Sequence, residues 1–535
     1  MTTLDKVEFI DMYFGSLLGA VVGDALGWPQ EDRSSKMGEP FKPSAQLKSW
    51  RRRNGLRDYY YEEVIGAGSY SDDSQLIFAT ARSLKKNNWF SHFVKVELPT
   101  WPAYERGGGG ATKRAALMWS KAIRPWKNDQ KANLKKYFEA GGNGVAMRIS
   151  PHVYYNSDNL DEITQQVFLN GIATHGHPRA LLSSILYAWA LQYLVKKDSS
   201  LDYGELVQYL LIEKGKWSKF PKMNKLDDWL EAANIYTNDN YAEIWDNTAN
   251  ELVEGLEIIK EAIENGVIDK TTETLNKLKC FDSRVRGAGT VACLVSIYIA
   301  SKYAADPEKG LMRIAFCQKS DADTNASMVG GLLGAIKGTE WIVEEWYKVQ
   351  DYIYIKKLVS DFSKDKEDNN SKLWASGEKI KLLDKMEKAN IKEEKFDFGP
   401  FKDLSIIEVI KNRSINQNGY SKSYKLLSSE GQTIFIKDTK VKKENEQSKE
   451  KQIKANSNPI PAFLAKLQSI VSPRLTAKKI LDISLVIFSD IQQDKINFNN
   501  VSEKKAYIQK LTKKGLDENL VSDLVDMIIQ TSMDK

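Results

Sequence analysis

A stripe of glycines in the first apolar segment constrains the fold more than any other feature of the sequence. Gly15, Gly19, Gly23 and Gly27 recur every four residues, so they share one face of a helix. Because glycine destabilises a helix interior by about 0.5–1 kcal/mol relative to alanine, this face predicts another backbone packed very closely against it. Residues 324–337 form a second small-residue helix, and we expect the two helices to pack side by side and to bring their ends together.

The first two thirds of the chain are predicted to be mostly helical. Leucine, isoleucine, alanine and tyrosine recur three and four residues apart in the segments 181–196, 201–213, 241–265 and 291–304. This is the pattern of helices that bury one face. No run of alternating residues predicts strands before about residue 360. The apolar stretch 13–28 is interpreted as a buried helix, because Asp24 and Pro29 interrupt it and it is shorter than the roughly 20 apolar residues that span a bilayer.

Composition excludes several classes of protein. The 535 residues are 42% hydrophobic and 28% charged, unlike a disordered or fibrous chain. The net charge of +6 is too small for this length to predict nucleic-acid binding. Three cysteines without CxxC spacing argue against a disulfide framework and a thiolate zinc site and favour a reducing compartment. We expect a cytoplasmic protein without signal peptide or membrane contact. Since the chain has four histidines, any metal site is expected to use oxygen ligands.

Changes in composition predict the domain boundaries. Segments 424–427 and 433–437 flank Ser-Ser-Glu-Gly-Gln and predict a hairpin. Segments 460–471 and 475–490 are examples of three or four amphipathic helices expected near the end. A lysine-rich stretch before them is interpreted as a solvated linker, with a nucleic-acid-binding tail as the alternative. The predicted regions are a helical domain (1–360), a charged helix and linker (361–398), a small hairpin-containing module (399–440), a lysine-rich linker (441–458) and a helical C-terminal module (459–535).

Two acidic clusters precede apolar helices. The first is Ser71-Asp72-Asp73-Ser74, and the second is Ser320-Asp321-Ala322-Asp323-Thr324. Either cluster taken singly is explained by helix capping, since carboxylates and hydroxyls accept hydrogen bonds from first-turn N–H groups. Burying adjacent unpaired carboxylates costs several kcal/mol, however, and hard cations such as Mg²⁺ or Ca²⁺ take oxygen ligands of this kind. For the two clusters together we favour a metal site, with capping as the alternative.

Three glycine-rich turns, at residues 23–31, 107–110 and 141–148, are candidates for phosphate contact, because glycines let backbone N–H groups approach an anion closely. None is a P-loop, since the GK[ST] ending and the preceding strand are missing. A flexible loop is the alternative for residues 107–110. His175 follows Thr174 at the start of a predicted helix, where simple packing explains a histidine as well as a ligand-binding role does.

Taken in order, these motifs resemble the ADP-ribosylglycohydrolase family over about residues 10–345. The resemblance implies an all-α fold: a compact, orthogonal helical domain, here the catalytic domain 1–360, followed by a C-terminal extension with a small β-hairpin region and then helices. The matching pieces are Gly23-Asp24-Ala25-Leu26-Gly27 with Glu31, Ser71 to Ser74, Arg106 to Gly110, Gly142-Asn143-Gly144 with Ala146-Met147-Arg148, Thr174-His175, and Asp321-Ala322-Asp323-Thr324.

The resemblance also implies an activity and a site. The expected enzyme is a hydrolase that removes ADP-ribose from a modified protein or other macromolecule. It would use two Mg²⁺ (or Mn²⁺) ions in a binuclear site, with Glu31 as the catalytic acid or base and Asp323 as a second candidate. Arg106 or Arg148 would bind the anionic pyrophosphate of ADP-ribose. The implied metal ligands are Ser71, Asp72, Asp73, Asp321, Asp323 and Thr324, and the implied substrate-binding residues are Arg106, Gly107, Gly108, Gly109, Gly110, Asn143, Gly144 and His175.

The chain departs from the family pattern in two places. Ser71 stands where the family usually has threonine, which keeps the hydroxyl. Lys319 and Ser320 stand where the family has glycines, so side chains could narrow the pocket or place a cation beside a phosphate. This second departure motivates one alternative, a weak or inactive ADP-ribose- or nucleotide-binding protein with the same fold. A separate alternative is an enzyme that acts on a free nucleotide or a modified nucleic-acid base and uses the basic tail for targeting. The motifs leave open the acceptor linkage, the oligomeric state and any partner of the C-terminal module.

Overall fold

The computed structural model describes residues 3–441 with gaps at 57–58, 128–130, 198, 224–225, 269, 365, 368–376, 389–393 and 414–418, and then residues 486–487, 490, 501–512, 521–522 and 525–526. The chain divides into two compact units, Met1–Lys442 and Lys443–Lys535. In the second unit a helix spans Val501–Thr512. The predicted linker 441–458 and helices 460–471 and 475–490 lie almost entirely outside the described residues.

The first unit is mainly helical. Its α-helices are α1 (Thr3–Gly27), α2 (Asp72–Leu84), α3 (Trp89–His92), α4 (Leu98–Thr100), α5 (Gly110–Trp119), α6 (Lys131–Phe138), α7 (Ser150–Tyr155), α8 (Leu160–Ile172), α9 (Pro178–Lys196), α10 (Glu205–Ile212), α11 (Lys214–Trp217), α12 (Asp227–Thr237), α13 (Tyr241–Glu264), α14 (Thr271–Lys277), α15 (Gly289–Lys302), α16 (Pro307–Ala315), α17 (Ala322–Lys337), α18 (Tyr352–Ser360) and α19 (Glu378–Lys388). Short 3₁₀ turns lie at Trp28–Gln30, Asp32–Ser34, Trp101–Ala103, Ala146–Arg148, Gly266–Ile268, Glu344–Lys348 and Asp361–Ser363, and a π-turn lies at Phe93–Glu97.

Helices α1 and α17 pack antiparallel through their small residues. A Cβ atom on Gly19 would lie 2.5 Å from the Gly330 carbonyl oxygen, and one on Gly23 or Gly27 would overlap the backbone at Ala326 or Ala322. Only hydrogen fits at these positions, which confirms the predicted pairing of the two small-residue helices. The pairing places the end of α1 beside the beginning of α17.

The long periodic segments form helices close to their predicted bounds in α9, α13 and α15. The predicted helix 201–213 is shorter than expected and covers Glu205–Ile212 in α10. Among the described residues, α1 and the turn after it form one helix, Lys6–Gln30, long and apolar enough to cross a membrane, but 78% of its apolar window is buried inside the unit. This burial agrees with the interpretation of residues 13–28 as a core helix.

A two-stranded sheet lies between α1 and α2. Strands β1 (Trp50–Leu56) and β2 (Tyr59–Ile65) pair antiparallel, with Trp50 opposite Ile65. The prediction that no strand precedes residue 360 was therefore wrong. The pattern was missed because β1 has three consecutive arginines and only its first residue enters a small apolar cluster, in which Trp50 and Ile65 pack on Trp28.

A four-stranded antiparallel sheet closes the first unit. Its strands follow in chain order: β3 (Lys395–Phe398), β4 (Phe401–Arg413), β5 (Gly419–Leu427) and β6 (Thr433–Val441). The predicted hairpin is confirmed in β5 and β6, where Leu427 lies opposite Thr433. Strands β3 and β4 were not predicted. The sheet belongs to the same compact unit as the helices, and its inner residues Phe398, Leu404 and Ile436 are part of the common core.

Candidate active site

Asp24, near the end of α1, fixes the beginning of α2. Its carboxylate accepts hydrogen bonds from the backbone N–H groups of Ser71 (2.9 Å) and Ser74 (3.0 Å) and from the Ser74 hydroxyl (2.6 Å). Ser71 Oγ accepts a further bond from the Asp73 N–H at 3.3 Å. The first turn of α2 is thus capped by Asp24 and Ser71, and the side chains of Asp72 and Asp73 are not needed for capping. No role for Asp24 was predicted from the motifs, although an acid within an apolar helix needs a polar partner.

The two acids that begin α2 are buried together. Asp73 Oδ1 is buried and has no hydrogen-bond partner among the described residues. Burial raises the pKa of the Asp72 carboxyl, and the nearby Glu105 and Asp24 raise it further. Burial likewise raises the pKa of Asp73, with Asp24 and Asp72 adding to the effect. Protein groups alone therefore do not neutralise this pair in the ionised form.

A second group of acids lies where α17 begins. Glu31, Asp321 and Asp323 each offer a carboxylate oxygen, and these oxygens lie within 4.8 Å of one another. Asn143 Nδ2 donates a hydrogen bond to Asp321 Oδ2 at 2.9 Å, so one predicted substrate residue contacts one predicted metal ligand. Burial raises the pKa of Asp323, and Glu31 is the neighbour that raises it most. Three carboxylates at this spacing repel one another unless a cation lies between them.

The antiparallel packing of α1 on α17 brings the two acidic clusters together. Asp321 lies close enough to Asp73 to raise its pKa, and the nearby Thr324 side chain lowers it. Glu31 thus influences both Asp72 and Asp323, and Asp73 links the acids of α2 to those of α17. An oxygen-only donor set with an unpartnered buried oxygen at Asp73 fits hard divalent cations such as Mg²⁺ and Mn²⁺. The number and identity of the ions stay predictions.

The glycine loop before α5 passes directly beside this centre. Gly107 has φ of +96°, a conformation that other residues adopt at a cost. A Cβ atom there would lie 3.3 Å from Asp72 Oδ1 and 3.3 Å from Trp28 Nε1. Gly108 donates its N–H to Glu105 Oε2 at 2.9 Å, and the space around Gly109 is open. The absence of a side chain at Gly107 thus lets the loop backbone approach Asp72 closely. The loop ends at Gly110, the first residue of α5.

Gly144 and His175, two further residues of the predicted substrate site, lie in contact with each other. A Cβ atom on Gly144 would lie 3.2 Å from His175 Cε1, and His175 Nδ1 lies 2.7 Å from Thr174 Oγ1. Burial, followed by the charge of Arg148, lowers the pKa of His175 to about 3. His175 is therefore neutral near pH 7, and its imidazole can exchange hydrogen bonds with a ligand without carrying charge.

The structure distinguishes the two arginines that were considered for pyrophosphate binding. Arg148 is fully buried and donates to the Gly144 carbonyl (2.9 Å), to Asn170 Oδ1 (2.7 Å) and to Thr174 Oγ1 (2.9 Å). It supports the walls of the site from behind and has no free face for an anion. Arg106 is 3% exposed, and its Nε and Nη1 atoms have no hydrogen-bond partner among the described residues.

The departure at Lys319 and Ser320 is accommodated within its own turn. Lys319 has φ of +64°, in the left-handed region that favours glycine. Its side chain is exposed, and its backbone carbonyl accepts a hydrogen bond from Arg286 Nη1 at 2.7 Å. Ser320 Oγ donates to the Cys317 carbonyl at 2.6 Å. The serine side chain is therefore used locally and does not narrow the site.

Comparison with known proteins places these features in a family. The sequence model of the ADP-ribosylglycohydrolase family matches residues 5–372, more than half of the chain. A solved structure described as an ADP-ribosylglycohydrolase-related protein complex is 18% identical, with 68% of this chain and 100% of that chain covered and a TM-score of 0.43. A search of the curated proteins finds no match. The family-model match confirms the resemblance of the motifs, and the chain belongs to the ADP-ribosylglycohydrolase family.

Proposed function

We propose that this protein is a metal-dependent hydrolase that cleaves the glycosidic bond between ADP-ribose and a modified protein or other macromolecule. The family assignment supports a hydrolase acting on ADP-ribose linkages. The observation that carries the finer proposal is the convergence of Asp72, Asp73, Asp321 and Asp323 with an unpartnered buried oxygen on Asp73. The free thiols of all three cysteines support the cytoplasmic location that we propose.

The ligands proposed for two divalent cations are Ser71, Asp72, Asp73, Asp321, Asp323 and Thr324. When bound, such cations orient substrate hydroxyls and lower the pKa of a bound water. The chain itself contributes the rigid placement of these oxygens, because Asp24 holds α2 and the α1–α17 contact holds both helix ends. Asn143 positions Asp321 from the side of the substrate.

Glu31 is the proposed acid or base, because its carboxylate lies beside Asp321 and Asp323 and is partly exposed. In the hydrolysis, a water oxygen bonds to ribose C1″, the bond from C1″ to the acceptor atom breaks, and the acceptor takes up one proton. Glu31, with Asp323 as the second candidate, would remove a proton from the attacking water or supply one to the acceptor. The carboxylates also favour the positive charge that develops on the ribose in the transition state.

The remainder of the ADP-ribose would lie between the two glycine-containing walls. In the loop Gly107 to Gly110, the N–H groups of Gly107, Gly109 and Gly110 would face the ligand on one side, because that of Gly108 donates to Glu105. Asn143, Gly144 and neutral His175 would line the other side. The alternative of an inactive nucleotide-binding protein was motivated by Lys319 and Ser320, but Ser320 bonds within its own turn and Lys319 is exposed. No observation on the described residues favours that alternative or a free-nucleotide hydrolase.

The test is release of free ADP-ribose, measured by mass spectrometry, from a panel of arginine-linked and serine-linked ADP-ribosylated proteins. We expect release with Mg²⁺, loss of release with a chelator, and at least a 100-fold slower release by Asp72→Asn. Asp161→Asn, an exposed acid on α8, is the matched control and should be as active as the unmodified chain. Full activity of Asp72→Asn, or equal activity in the chelator, would overturn the proposal.

A further inference from the structure

Arg106 is held between two aromatic rings that come from distant parts of the chain. Its guanidinium carbon lies 5.3 Å from the Trp28 ring centroid and 4.2 Å from the Phe435 ring centroid. Trp28 follows α1, whereas Phe435 lies on β6 of the four-stranded sheet. Both distances are within the range of a cation–π contact, which fixes the guanidinium while leaving Nε and Nη1 without hydrogen-bond partners.

Two further cations surround the same place and share one carboxylate. Arg52 Nε lies 2.8 Å from Glu63 Oε2, and Lys437 Nζ lies 2.8 Å from Glu63 Oε1. Burial by itself would raise the pKa of Glu63, but Arg52, Lys437 and Arg106 together hold it well below its usual range. Burial lowers the pKa of Lys437 to about 8, with Arg52 and Arg106 adding to the effect, and that of Arg106 to about 10.

The charges of this cluster do not cancel. Three cations, Arg52, Arg106 and Lys437, face the single carboxylate of Glu63, and the more distant Asp24 also attracts Arg106. Burying a cation is unfavourable unless an anion pairs with it, and a buried donor without a hydrogen-bond partner is likewise unfavourable. The side chain of Lys437 is 19% exposed, so the cluster is open to solvent at the β6 side. An anion of two negative charges would balance it.

The cluster lies next to the proposed reaction centre. Arg106 is followed by Gly107, whose backbone approaches Asp72 Oδ1 and Trp28 Nε1. Trp28 thus contacts both the loop beside the acids and the guanidinium of Arg106. The sheet is firmly placed here, because the Tyr104 and Phe401 rings meet edge to face at 5.1 Å.

We propose that the four-stranded sheet completes the substrate site, with Arg106 and Lys437 binding the dianionic pyrophosphate of the ADP-ribosyl group and Phe435 forming the wall that holds Arg106. This inference rests on the proposed function for the identity of the anion. Lys437 and Phe435 belong to a region for which the sequence predicted only a small module. The inference makes that module part of the enzyme and Lys437 a substrate-binding residue.

The test is calorimetric binding of ADP-ribose and of adenosine to the full chain in the presence of Mg²⁺. Lys437→Met should weaken ADP-ribose binding about tenfold, because a charge-assisted hydrogen bond is lost, and should leave adenosine binding unchanged because adenosine has no pyrophosphate. Lys437→Arg should restore most of the affinity. Lys411→Met, an exposed lysine on β4, is the matched control and should bind ADP-ribose as the unmodified chain does.

Each outcome separates this inference from the proposed function. Equal affinity of Lys437→Met and the unmodified chain for ADP-ribose, or a parallel loss of adenosine binding, overturns the inference even if hydrolysis is observed. No binding of ADP-ribose by the unmodified chain overturns it as well. A selective loss of ADP-ribose binding supports it even if no substrate is hydrolysed, in which case the hydrolase proposal alone fails. Equal melting temperatures of the three variants show that the change is not caused by unfolding.

Discussion

At the scale of single residues, Asp24 does more for the site than its position in an apolar helix suggests. It binds no substrate in our proposal. Its carboxylate accepts hydrogen bonds from the backbone N–H groups at the beginning of α2, and these bonds orient Asp72 and Asp73. Burial raises the pKa of Asp24, and the bonds from Ser74 and Ser71 partly offset this effect. Asp24 is therefore a positioning residue, and its removal should affect stability as well as activity.

We expect Asp24→Asn to lower the free energy of unfolding by about 1–3 kcal/mol. The amide has one oxygen where the carboxylate has two, and its NH₂ group would face the N–H donors of Ser71 and Ser74, leaving buried donors unsatisfied. Urea unfolding followed by circular dichroism measures the change. Asp158→Asn, whose side chain is 87% exposed, should change stability by less than about 0.5 kcal/mol. Equal stability of Asp24→Asn and the unmodified chain would contradict the assigned role.

At the scale of secondary structure, the pairing of α1 with α17 determines where both acidic clusters lie. The glycines allow the two backbones to touch, so the end of one helix and the beginning of the other meet at a fixed distance. Alanine has a better helix propensity than glycine by about 1 kcal/mol. For a glycine-to-alanine substitution in this stripe, helix propensity therefore predicts a gain in stability, whereas the close packing of the two helices predicts a loss.

We expect Gly19→Ala to destabilise the protein by about 1–3 kcal/mol in spite of that propensity, because its Cβ would lie 2.5 Å from the Gly330 carbonyl oxygen and the helices would have to separate. Gly215→Ala, in α11 with no atom within 4 Å of its Cβ, is the control and should be neutral or slightly stabilising. Thermal unfolding of both variants measures the difference. A stabilised Gly19→Ala would show that the helices separate at little cost.

At the scale of the whole molecule, the four-stranded sheet is packed into the helical domain by polar as well as apolar contacts. Arg82, buried and paired with Glu97 at 2.7 Å, also donates to Gln432 Oε1 at 2.5 Å. The Thr433 N–H donates to Asp351 Oδ2 at 2.9 Å. These partners lie in α2, α18 and the segments beside them, so removing the sheet would expose buried charged groups of the helical domain.

We therefore expect a chain ending at residue 442 to unfold at a similar temperature to the full chain, because its compact unit is intact. A chain ending at residue 394 should unfold at a lower temperature or aggregate, because Arg82 loses Gln432 and the Tyr104 ring loses Phe401. Differential scanning calorimetry of the two truncated chains tests this. Equal melting temperatures would mean that the sheet is an independent module, as the composition suggested.

Arg106 and Arg148 show which features of the site could not be predicted from the sequence. Both Arg106 and Arg148 lie beside glycine motifs, and nothing local separates them as candidates for an anion. The guanidinium of Arg148 donates hydrogen bonds to Asn170 and Thr174. The guanidinium of Arg106 lies against two aromatic rings, which leave some of its N–H groups without a hydrogen-bond partner. Hydrogen-bond partners so distant in the chain leave no pattern in a local window.

The sequence by itself determined the helical class, the α1–α17 pairing and the candidate metal ligands, because periodicity, glycine spacing and adjacent acids are local patterns with direct physical costs. The tertiary structure decided the role of Asp24, the position of the sheet and its contact of Phe435 with Arg106. Strands β1 to β4 were missed for the same reason. Their stability comes from packing on distant partners, and β1, β2 and β4 lack a regular alternation of apolar and polar residues.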